Sequence, residues 1–144
     1  MAGFSHVKGG FHIEYPKKVA STVIAVGNLM YAAAGDGTVT NADATSGNHI
    51  GIALKAVAAT DSDYASETRI PVLVPHDDAE FDVPVGTGTF TAAMEGNFYD
   101  LKDANEIDVS AQSKNVILIT KYISSTVARV KINAMAANAN VATT

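Results

Sequence analysis

The chain alternates short apolar runs with small polar residues, and the runs keep a period of two. Phe81, Val83 and Val85 alternate with Glu80, Asp82 and Pro84. Ala128, Val130 and Ile132 alternate with Arg129, Lys131 and Asn133, and Ile50, Ile52 and Leu54 with Gly51, Ala53 and Lys55. Strict alternation predicts strands with one buried face. Val116-Ile117-Leu118-Ile119 is unbroken, which predicts a strand buried on both faces. Further strands are expected at Val19–Val26, Leu29–Ala33 and Arg69–Pro75, with Pro71 and Pro75 hinting at an edge or a bulge.

Turn chemistry separates these runs. Gly27-Asn28, Gly35-Asp36-Gly37 and Gly86-Thr87-Gly88 fall between them, and Asp-Gly is a strong hairpin signal because both residues tolerate positive φ. The result is about eight to ten strands at roughly ten-residue spacing, which predicts an all-β fold: a compact antiparallel sandwich or barrel. Two helical alternatives stay open: an amphipathic helix over Lys17–Val26 and a single turn within Ala104–Lys114. Gly27-Asn28-Leu29-Met30-Tyr31 is echoed by Gly96-Asn97-Phe98-Tyr99, as in a duplicated hairpin or by chance.

Three segments follow from this pattern: an extended N-terminal arm (1–18), a β-domain (19–133) and a short flexible C-terminal tail (134–144). In the arm Phe11, Ile13 and Tyr15 share strand parity opposite His12 and Glu14. Lys8, Lys17 and Lys18 make it basic on an acidic chain. So apolar a terminus belongs against something. That is either its own domain, as a first strand, or a neighbouring subunit. The second reading nominates Phe4, Val7, Lys8, Phe11, Ile13, Tyr15, Lys17 and Lys18 as contact residues. The tail is rich in Ala, Asn and Thr and carries no charge, so it is expected to be loose or pinned by a partner.

Composition narrows the function. The 144 residues suit one domain with tails. Only 17% are charged, the net charge is −5, and cysteine is absent. An acidic chain is a poor phosphate-backbone binder, so no nucleic-acid partner is expected. No apolar run approaches membrane-spanning length, and the start lacks the apolar core of a secretion signal. Without cysteine, thiol catalysis and disulfides are excluded.

Candidate chemistry is sparse. His6 and His12 are six apart and lack the i,i+4 spacing of a helical metal pair; His49 opens a strand. His76 heads His76-Asp77-Asp78-Ala79-Glu80-Phe81-Asp82, whose carboxylates lack the spacing and glycine of a calcium loop. No nucleophile elbow, S-x-x-K or phosphate loop occurs. A glycosidase carboxylate pair remains possible among 15 acids, but there is no Trp to platform a sugar. The expectation is a non-enzyme with no cofactor and no metal. Charge falls in blocks: Asp61 to Asp82 holds seven acids and one base, and Lys114 to Lys131 holds four bases and no acid. They are either solvated faces or a self-complementary patch between identical subunits.

The order of motifs resembles the small capsid decoration, or cement, proteins of tailed bacteriophages. The likeness runs through Gly27-Asn28-Leu29-Met30-Tyr31, the Thr/Asn/Ala-rich loop Ala34–Gly47 and Ile50-Gly51-Ile52-Ala53-Leu54-Lys55-Ala56. It continues through Ile70-Pro71-Val72-Leu73-Val74, Phe81–Val85, Gly96–Leu101 and Arg129–Ile132. It covers roughly residues 19–133. The resemblance implies a structural virion protein, made in the host cytoplasm. It would dock as a trimer on the outer face of an expanded head, against the major capsid protein. The arm and tail match no motif of that family. Small neutral side chains lose little rotamer entropy on contact. Burying three arm anchors contributes roughly 5–8 kcal/mol before ordering costs, at about 1.5–3 kcal/mol each. The rival reading is another virion surface or glycan-binding β-module, a head-fibre base or tail subunit, with loop aromatics such as Tyr64 or Tyr99 lining its site. Deleting residues 1–18 is then expected to leave a folded domain that no longer binds heads.

Overall fold

A computed structural model describes residues 3–33 and 37–133. In chain order the strands are β1 (Ser5–Lys8), β2 (Phe11–Glu14), β3 (Lys17–Lys18), β4 (Leu29–Ala32), β5 (Thr38–Asn41) and β6 (His49–Ala53). They continue as β7 (Val72–Pro75), β8 (Glu80–Thr87), β9 (Phe98–Leu101), β10 (Ile107–Asp108), β11 (Ile117–Ser124) and β12 (Val127–Ile132). Among the described residues the one helical piece is a 3-10 turn at Ala92–Met94. The chain is all-β.

Two sheets form. In the first, β8, β10, β9, β11 and β12 are hydrogen-bonded in that order, and β12 pairs back onto β8, closing a five-stranded barrel. β1 adds to β8 beside the ring. The second sheet runs β2-β7-β6-β4-β5-β3. Pairing is antiparallel except for β10 on β8 and β3 on β5. β2 and β3 are one run interrupted by Tyr15 and Pro16, yet they lie at opposite ends of the second sheet's order. Residues 11–18 therefore wrap that sheet and draw its two edges together.

The period-two reading explains which faces are buried. Phe81, Val83, Ile117, Ile119, Ala128 and Val130 fill the barrel. Leu29, Ile52 and Leu73 project from the second sheet into the same core, so one apolar cluster joins both layers. The opposite faces of those strands supply Met30, Ala53 and Val72 to a second cluster with Val39 of β5, Ile24, Val57 and Ile70. Gly51 is needed where it stands, since a Cβ there would meet the Leu73 carbonyl oxygen within bonding range. The Gly-Asn echo is also conformational: Gly27 and Gly96 both take left-handed φ, 95° and 85°, just before β4 and β9.

Several expectations are corrected. The arm does not project: β1 lies on β8, β2 on β7 and β3 on β5. Val19–Val26 is neither strand nor helix but a loop with a single bridge, Ile24 to Val57. Ser21, at φ 56°, breaks its extended run. Ala104–Lys114 holds β10 and turns instead of a helical turn. The tail, 134–144, and part of the Gly35-Asp36-Gly37 turn lie outside the described residues. The hairpin that this turn serves is closed by the Ala33 amide on the Thr38 carbonyl, 2.8 Å.

Candidate interaction surface

The nominated N-terminal residues divide into two groups. Phe4 is buried in the joint core, its ring edge-on to Phe81 with centroids 6.3 Å apart. Lys18 is also fully buried. Its Nζ donates to the carbonyl oxygens of Ser66 at 2.7 Å and Tyr64 at 2.8 Å, so it pins the loop between β6 and β7. Folded this way, neither side chain has surface to offer a partner. Lys18 turns inward although His12 and Glu14, the even positions of β2, stay exposed, and backbone carbonyls satisfy its charge.

The other six remain outside. Phe11, Ile13 and Tyr15 lie on one side of β2 and its exit and are 42%, 44% and 58% exposed. They continue the parity of Leu73 on β7, which faces the core, yet they stay exposed. Phe11 rests on His6, centroids 4.9 Å apart, and His6 rests on Phe81 at 5.7 Å. Val7 is exposed on β1. At the ends stand Lys8, paired with Glu80 at 3.4 Å, and Lys17, which faces Arg69 across an isolated bridge. Arg69 donates to the Tyr15 carbonyl at 2.9 Å. The outcome is an apolar row flanked by cations. Val23, Val26 and Leu54 are also exposed, on loops joined by the Ile24–Val57 bridge and by the Gly27 amide on the Ala53 carbonyl at 3.0 Å, links between distant segments that the sequence does not display.

The charge blocks meet within one chain. Because β8 pairs with β12, Arg129 Nε reaches Asp82 Oδ1 at 2.9 Å, and that carboxylate holds the guanidinium pKa above its usual range. Burial raises the Glu80 pKa, but the Thr120 hydroxyl and Lys8 outweigh it and leave it lowered. One pair of the two blocks is thus matched within the chain.

Two buried polar groups escaped sequence reasoning. Asp100 accepts from the Ser113 hydroxyl and from the amides of Ser113, Lys114 and Asn115, at 2.7–3.1 Å. Burial raises its pKa, but these donors win and hold it below the ordinary value. His49 is buried, with Nε2 3.1 Å from the Ser46 hydroxyl. Burial pushes its pKa down to about 4, against a small opposing pull from Asp43. Both brace loops. Among the described residues no three His, Asp or Glu side chains converge as a ready metal cage. A shallow cleft of about 240 Å³ lies between Asp77, Phe98, Leu118, Lys131, Ile132 and Asn133. Tyr99 is buried, and Tyr64 packs against the second core cluster.

The sequence matches no protein-family model and no curated protein.

Proposed function

We propose that this chain is a structural virion protein that binds the outer surface of a phage capsid as a trimer and stabilises the lattice. The observation that carries the reading is the row Phe11, Ile13 and Tyr15, apolar side chains on an edge strand that its own fold leaves half uncovered. Isolated surface hydrophobics are ordinary, but a contiguous row with a cationic rim marks a contact site. The resemblance of the order of motifs along residues 19–133 to that of capsid decoration proteins suggests the partner class: the major capsid protein. The chemistry of the surface agrees with docking by area, since its exposed residues are mostly small and uncharged. The glycan-binding alternative loses support, because Tyr99 belongs to the core and Tyr64 to a packed loop.

Two measurements test the proposal. Light scattering after size exclusion is expected to give three chains per particle. Sedimentation with purified expanded heads is expected to carry the protein into the pellet at a fixed ratio to capsid subunits. A monomer that stays in the supernatant at every concentration overturns it.

A further inference from the structure

On the side of β2 opposite that row, two histidines from distant parts of the chain meet. His12 Nδ1 lies 3.1 Å from His76 Nε2, with ring centroids 5.3 Å apart. The remaining nitrogen of His12, Nε2, is 3.2 Å from Glu14 Oε2. Beyond His76, the Asp78 carboxylate accepts the Gly10 amide at 3.0 Å, which lowers its pKa, with a further pull from His76 and from Lys131 on β12. Gly10 leaves the room His76 needs: a Cβ there would stand 2.8 Å from its Nδ1.

We propose that His12 and His76 form a two-histidine site for a divalent transition metal of the imidazole-preferring class: zinc, copper or nickel. Metal–nitrogen bonds of about 2.0–2.1 Å place two ligands about 3.3 Å apart on a tetrahedral ion and about 2.8 Å apart on a square-planar one. The observed separation falls between them. Two bare imidazole nitrogens this close repel, so in the free protein one N–H stands between them; to ligate through Nε2, His76 carries its single proton on Nδ1 instead. Glu14 serves as the carboxylate behind a ligating histidine. By accepting from Nε2–H it selects the tautomer that leaves Nδ1 bare, an arrangement that raises ligand basicity.

The backbone fixes the two ligands. His12 stands opposite Val74 in the β2–β7 ladder, and the His76 amide donates to the Gly10 carbonyl at 3.0 Å. Both rings are exposed, so turning their lone pairs to a common point costs little. The ion's remaining positions face solvent, open to water or to a side chain of a bound partner. Metal here would fasten β2 to the turn after β7. The inference does not depend on the capsid reading.

The test is titration of the purified full chain with Zn²⁺ alone and with Cu²⁺ alone, followed by calorimetry and by the histidine ring resonances. Expected is one ion per chain and a raised Tm with either metal and, with diamagnetic Zn²⁺, ring shifts confined to His12 and His76 with silence at His6 and His49. His12→Gln and His76→Gln are each expected to lose binding at least tenfold. Glu14→Gln is expected to weaken it about tenfold or more while leaving the fold unchanged. Exposure of all three side chains keeps the variants folded, which circular dichroism checks. No binding up to millimolar metal, or binding undiminished in both histidine variants, overturns the proposal.

Discussion

Phe4 and Phe81 meet edge to face, ring planes at 84°, and this contact anchors the beginning of the chain inside the joint core. The nominated arm is therefore in part a structural element. Phe4→Ala is expected to cost about 3–5 kcal/mol, the range for emptying a buried aromatic site. Phe11→Ala, at an exposed position, should cost less than about 1 kcal/mol. Urea denaturation of both variants checks this. It also revises the truncation expectation: removing residues 1–18 takes strands from both sheets as well as two buried side chains, so the truncated chain should unfold.

Lys18 is expected to behave as a buried brace. Lys18→Ala leaves the Tyr64 and Ser66 carbonyls without their donor, at a cost of about 1–3 kcal/mol. The loss should be local first. Amide exchange in the loop 58–68 should accelerate before the barrel strands β8, β11 and β12 respond. Unchanged protection in that loop would count against the assigned role.

Stability should fall on mild acidification. The folded pKa of His49, about 4, lies below its unfolded value of 6.5. Between these values the unfolded chain binds more protons, so its contribution is complete above about pH 6.5 and drains away towards pH 4. The full difference is about 3 kcal/mol. Asp100 acts later. Its folded pKa lies below the usual 3.8, so its contribution holds above that value and disappears as pH falls through the folded one. Urea melts at about pH 7.5, 5.5 and 4.5 should show the decline, and His49→Asn should flatten it.

Much of the fold was legible because the barrel strands each face one core. Phe81 and Val83 on β8, and Ala128 and Val130 on β12, are buried as their alternation predicts. Val19–Val26 misled because β-branched composition says nothing about one left-handed residue, Ser21, in its midst. The surface was legible only in part. Phe11, Ile13 and Tyr15 could be picked out by parity, whereas Phe4 looked no different from them. Lys18 could not be read as buried, since its acceptors are carbonyls 46 and 48 residues away that any sequence supplies. His12 and His76, 64 residues apart, become neighbours only through β2 and β7 pairing.

If the exposed row is the docking surface, its loss should separate binding from folding. The triple variant Phe11→Thr, Ile13→Thr, Tyr15→Thr keeps strand propensity and should melt within a few degrees of the parent. It should fail to pellet with heads. Lys17→Glu, at the cationic end of the row, should weaken binding and reduce its salt sensitivity.

The most direct measurement is a cryo-electron microscopy reconstruction of expanded heads with and without the purified protein. The account predicts added three-fold density on the outer capsid surface, with β2 and the row Phe11–Ile13–Tyr15 buried against a neighbouring subunit. Heads identical in both reconstructions, or bound protein with β2 turned to solvent, would contradict it.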